Sequence, residues 1–122
     1  MSCALTIDAV NDRSKTVTRR HADTWVTLAP GDRLTLVEQG QGLAAGATQV
    51  ILADVVVTSV ELVELDDIDQ ADVAREGFAD WTPERFTAFW RESHGVEASQ
   101  SVIVRRIEWA YDTSTSSTTD RS

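Results

Sequence analysis

The chain has 122 residues, the size of one domain with a core that needs neither disulfide nor metal. Its 20 acidic and 11 basic residues leave a net charge of −9, so it repels polyanions in general and can meet nucleic acid only through a small local site. The single cysteine, Cys3, excludes an intramolecular disulfide and a cysteine-rich zinc site, and it fits a reducing, cytoplasmic setting; two histidines, His21 and His94, exclude a two-histidine metalloprotease motif.

The opening residues hold no charged region followed by a long apolar run, so no signal peptide is expected. Residues 4–7 read as a short strand, and a turn or single helical turn fits 8–14. Residues 16–20 carry β-branched side chains and suit a strand edge, followed by a brief extended piece at 25–28 and a turn at Pro30-Gly31-Asp32. Residues 33–39 alternate in the manner of a half-buried strand. The GQGLAAG stretch at 40–46 is a loop, and no Gly-Lys-Ser/Thr follows it to make a phosphate-binding P-loop. Residues 48–60 form the most β-prone segment; the near-apolar run 50–57 within it is broken by Asp54 and is too short to span a bilayer, so no membrane contact is expected.

Six carboxylates between Glu61 and Asp72, with no basic residue among them, predict a solvated rim leading into a short helix at about 69–75 rather than a metal site. Thr82-Pro83-Glu84 is a helix start, with threonine as N-cap, proline in the first turn and glutamate beside the positive helix end. Phe86, Phe89 and Trp90 follow at helical spacing as core packing, and Gly95 closes the helix. Residues 102–111 return to strand. Of the four tryptophans, Trp90 and Trp109 belong in the core, while Trp25 and Trp81 sit at loop edges where one could stack on a base. The Ser/Thr/Asp-rich end predicts a folded domain over 1–111 and a disordered tail over 112–122. Strands outnumber helices and connections are short, which suits an α+β domain: a small barrel with one or two helices packed on it.

The chemistry concentrates between positions 13 and 21. Arg13, Lys15, Arg19 and Arg20 are interleaved with Thr16 and Thr18 and followed by His21. Surface ion pairing is the ordinary fate of such a run. Taken in order, however, the KTVTRR run, the W-x-x-L-x-PGD stretch, the EGF element at 76–78 and the closing RIEW strand resemble the ASCH family, of the PUA-like superfamily of RNA-associated β-barrels. The resemblance runs from about Leu5 to Tyr111. The family motif G-x-K-x-x-T-x-R falls on Arg13, Lys15, Thr18 and Arg20, with arginine standing where the motif has glycine.

The resemblance implies a cleft lined by this segment and by acidic residues of the helical excursion. One bacterial branch of the family hydrolyses N(4)-acetylcytidine and related acylated cytidines with a lysine, a threonine and a glutamate. Carried over, the catalytic set is Lys15, Thr18 and Glu76. Beside it, the basic run supplies Arg13, Arg19 and Arg20, and the loop edge Trp25, as binding residues for RNA or a modified nucleoside. No feature of the sequence demands a metal or an organic cofactor. Family members that bind RNA without catalysis, or cleave it, leave two alternatives: a non-catalytic RNA-binding module, or a ribonuclease, using the basic edge 13–20.

The chemistry sets conditions. A threonine hydroxyl attacks an amide only if a base takes its proton, and Lys15 serves as that base only if burial or neighbouring cations bring its pKa down. With Glu76 as base, Lys15 stays charged and serves the oxyanion instead. In a straight strand Lys15 and Thr18 face opposite ways, so a shared role requires an irregular backbone between them. Arg20 shares parity with Thr18. The sequence leaves the oligomeric state open.

Overall fold

The computed structural model describes residues 1, 3, 6–37 and 51–112. Among these, four strands form one antiparallel sheet in the order β1-β4-β3-β2: β1 (Val17–His21), β2 (Arg33–Val37), β3 (Ile51–Glu64) and β4 (Ile103–Tyr111). The sheet curls into a half-barrel, and three helices accompany it, α1 (Ile7–Asn11), α2 (Gln70–Arg75) and α3 (Pro83–His94). No helix among the described residues is long and apolar enough to cross a membrane.

β3 and β4 form the spine. Their register breaks between Val57 and Ser59, the irregularity that lets a 14-residue strand bend. One apolar cluster lies toward β2 and α1, with Val10, Leu36, Val55, Val57, Ile107 and Trp109 almost fully buried. A second gathers Leu65, Ile68, Val73, Phe86, Trp90 and Val104 beneath α2 and α3. α3 is built as its residues dictate. The Thr82 side chain accepts a hydrogen bond from the Arg85 N–H, Pro83 opens the helix, and Gly95 ends it at φ +68°.

Three sequence expectations are corrected. The strand expected at 4–7 is absent at its described end, because Thr6 begins a helical turn and Ile7 opens α1; residues 4 and 5 lie outside the described residues. The piece at 25–28 is a turn rather than extended chain: the Leu28 N–H bonds back to the Trp25 carbonyl, and Trp25 sits at φ +56°. The acidic stretch is not a rim throughout. Residues 61–64 continue β3, where Glu61 lies opposite Arg106 of β4, and Asp72 is buried in α2. The expected loop at 40–46 lies outside the described residues. So does the expected tail, apart from Asp112, whose carboxylate pairs with Arg33.

Candidate functional site

Lys15 lies just before β1, and the chain there follows no strand pattern. The Lys15 N–H bonds to the Ala9 carbonyl of α1 and the Thr16 N–H to the Arg75 carbonyl of α2. The Lys15 carbonyl accepts from the Trp109 indole, at 3.1 Å, and from the Tyr111 hydroxyl. Regular pairing with β4 begins only at Val17. The parity objection therefore does not apply: Lys15 and Thr18 line the same pocket.

Glu76 comes to that pocket from the other side. It ends α2, and Gly77 follows at φ +101°, a conformation that favours glycine. A Cβ at position 77 would stand 3.0 Å from Cγ2 of Thr6 and 3.1 Å from Cβ of Ala9. The turn is thus pressed against α1, and this contact delivers Glu76 to the site.

The pocket encloses about 330 Å³, at the small end of the range for small-molecule sites. One side carries Lys15, Thr18, Arg19, Arg20 and Glu76; Phe78 and the α3 residues Phe86, Phe89 and Trp90 form an aromatic wall. Lys15, Thr18 and Glu76 are 3%, 4% and 2% exposed, so they form the floor. Lys15 Nζ donates to the carbonyls of Glu76 (2.6 Å) and Val17 (3.1 Å) and stands 3.8 Å from Glu76 Oε1. Arg19 Nη1 holds Glu76 Oε2 at 2.9 Å. Arg20 Nε donates to Thr18 Oγ1 at 3.1 Å, which leaves the hydroxyl proton free to be given elsewhere.

Burial pulls the Lys15 ammonium below its usual pKa, against the opposing pull of Glu76. Burial also pushes the Glu76 carboxyl up, against the cations Lys15 and Arg19. Because Arg19 already compensates Glu76, the carboxylate does not depend on Lys15 for its counter-charge. A neutral Lys15 that donates both N–H groups to carbonyls keeps a lone pair able to take a proton.

A second layer of charge lies behind. Arg19 and Arg106 are direct cross-strand neighbours in β1 and β4, a repulsive placement on its own. Asp72 reconciles them: it accepts from Arg19 Nη2 (2.7 Å), from Arg106 Nε (2.8 Å) and Nη2 (3.1 Å), and from Arg75 Nη1 (2.8 Å). Its carboxyl is held far below the usual carboxylate range, foremost by Arg106. Asp69, the N-cap of α2, fixes Asp72 through its N–H.

Of the residues expected to act, Lys15, Thr18, Arg19, Arg20 and Glu76 line one pocket. Arg13 is elsewhere, exposed, with its guanidinium 4.9 Å from the centre of the Tyr111 ring. Trp25 stands on the loop after β1, 38% exposed and outside the pocket lining. Trp81 stacks on Phe78. The aromatic stripe read as core is both: Phe86 and Trp90 are buried, and their edges help wall the pocket.

Sequence reasoning missed Cys3 and His94, which line the pocket, and Asp72 and Arg106 behind it. No short-range signal marks the first two. The pairing of Asp72 with Arg106 spans 34 positions and joins α2 to β4, so it becomes readable only once the placement of α2 against the sheet is known.

No protein-family model and no curated protein matches the sequence. Among solved structures, the chain is similar to an ASCH domain from Lactobacillus crispatus JV V101, with a TM-score of 0.57 at 15% sequence identity over 88% of this chain and 70% of that one. Together with the curled antiparallel sheet and its helices, this similarity identifies the architecture: the chain has the α+β fold of an ASCH domain.

Proposed function

We propose that the chain is an RNA- or nucleoside-directed ASCH domain and, more narrowly, an amidohydrolase of N(4)-acylated cytidine with Lys15, Thr18 and Glu76 as its catalytic residues. One observation carries this reading. Lys15 and Glu76, 61 positions apart, meet on the floor of one aromatic-walled pocket with Thr18. The aromatic wall offers a stacking face to a pyrimidine ring, and an acylated nucleoside carries little charge, which a protein of net charge −9 tolerates better than a polyanion.

The chemistry runs as follows. Lys15, as the amine, takes the Thr18 hydroxyl proton while Oγ1 bonds to the acyl carbon. Arg20, held beside Oγ1 by its hydrogen bond, serves the acyl carbonyl oxygen, on which the negative charge develops. The bond from the acyl carbon to N4 breaks, and the proton passes from Lys15 to the departing amino group. Cytidine leaves, with the acyl group held as an ester on Thr18. Water then attacks the ester, Lys15 takes its proton and returns it to Oγ1, and the carboxylic acid is released. Glu76, fixed by Arg19, orients Lys15 and stabilises it while it carries the proton.

The test is acetate release from N(4)-acetylcytidine by the purified protein. Turnover supports the hydrolase. Its absence at high enzyme concentration refutes that substrate and moves the assignment to RNA binding, for which affinity falls steeply with added salt.

A further inference from the structure

The floor of the pocket is polar and closed, whereas its outer rim carries a residue that the proposed chemistry does not use. His94, the last residue of α3, is exposed, yet it lines the same pocket as the nearly inaccessible Lys15, Thr18 and Glu76. Its ring is held on two sides. It stacks on the Trp90 indole with centroids 3.8 Å apart and planes 12° from parallel, and its Nδ1 lies 2.8 Å from the Trp90 carbonyl. A carbonyl can only accept, so Nδ1 is the donor in this contact, and in the tautomer that this contact selects Nε2 is the acceptor. Trp90 is itself anchored, its indole N–H on the Arg19 carbonyl at 3.1 Å. The imidazole is thus a preorganised acceptor at the pocket mouth.

The substrate chemistry gives that acceptor a partner. In a cytosine ring N1 lies across from C4, which carries N4. Placing N4 on the floor against Lys15 and Thr18 therefore turns N1, and the sugar on it, outward to the rim. A sugar offers hydroxyl donors. We infer that His94 accepts a hydrogen bond from a sugar hydroxyl and makes the pocket selective for a nucleoside over the free base; this rests on the reading under Proposed function.

The experiment is calorimetric titration of the full chain with cytidine and with cytosine. Neither product is turned over, so binding is read without catalysis. The wild type binds cytidine more tightly than cytosine. His94→Ala and His94→Phe each lose roughly threefold to tenfold in cytidine affinity, the worth of one hydrogen bond, and keep cytosine affinity. His94→Phe retains an aromatic ring for Trp90, so equal losses in both variants assign the effect to Nε2 rather than to packing. A cytidine-to-cytosine ratio unchanged in both variants, or a wild type that does not distinguish the two, overturns the inference. Acetate release from N(4)-acetylcytidine reads the underlying assignment separately: turnover with no such preference defeats only the role of His94. Binding of neither compound together with no turnover defeats both.

Discussion

Asp72 is where the fold and the site depend on one side chain. It takes four hydrogen bonds from three guanidinium groups, and two of them, Arg19 and Arg106, face each other across β1 and β4. In Asp72→Ala, Arg75 turns to solvent at little cost, being half exposed, while Arg106 keeps Glu108 and Arg19 keeps Glu76. The loss therefore sits near the lower end of the 3–5 kcal/mol typical of breaking a buried pair, about 3 kcal/mol. For a domain this size that is a fall in Tm of roughly 12 °C, a large part of a total stability of about 5–15 kcal/mol. Urea denaturation followed by tryptophan fluorescence measures it. Asp66→Ala is the control: Asp66 binds Arg91 through two hydrogen bonds but is 58% exposed, and its loss costs about 1 kcal/mol or less. Equal costs for the two variants would refute the claim that Asp72 stabilises through buried charge.

Further consequences are open to measurement. Because the folded-state pKa of Asp72 lies below its unfolded value of about 3.9, its contribution is present above that pH and is lost as pH falls toward the folded value; acid unfolding of Asp72→Ala is correspondingly shallower below about pH 4. Gly77→Ala places a Cβ against Thr6 and Ala9 in a left-handed turn, and it lowers stability by about 1–3 kcal/mol in the same urea assay. Arg13 occupies φ +69°, the region glycine favours, and it is held by its Tyr111 contact and by a 3.1 Å hydrogen bond to the Val10 carbonyl. Relief of about 1 kcal/mol of backbone strain offsets the lost contacts, so Arg13→Gly changes stability by under about 0.5 kcal/mol, whereas Arg13→Val destabilises by about 1 kcal/mol or more. If Lys15 acts as the amine, kcat rises with pH through its lowered pKa, and a rate that falls over that limb contradicts the assignment of the base.

Much of this was legible before the fold, for identifiable reasons. The start and stop of α3 are local signals, threonine–proline at one end and glycine at the other, and both hold. Lys15, Thr18, Arg20 and Glu76 converge because the motif resemblance selected residues that the topology then brings together. The opening residues and the 25–28 segment were misread because turns there are closed by backbone hydrogen bonds that leave no side-chain pattern. The acidic stretch misled for a different reason. Composition marks carboxylates as solvated, and what buries Asp72 is a set of arginines, two of them on strands remote in sequence. At position 13 arginine stands where the resembled motif has glycine, and it occupies φ +69°, a conformation glycine favours.

The most direct test of the account is acetate release from N(4)-acetylcytidine by the wild type beside the near-isosteric variants Lys15→Met and Thr18→Val, each first checked for a wild-type fold by circular dichroism. The account predicts turnover in the wild type and a loss of at least about a hundredfold in both variants, the scale of a missing base or nucleophile. A folded Thr18→Val that keeps wild-type turnover would contradict Thr18 as nucleophile, and the same result in Lys15→Met as well would place the reaction outside this pocket.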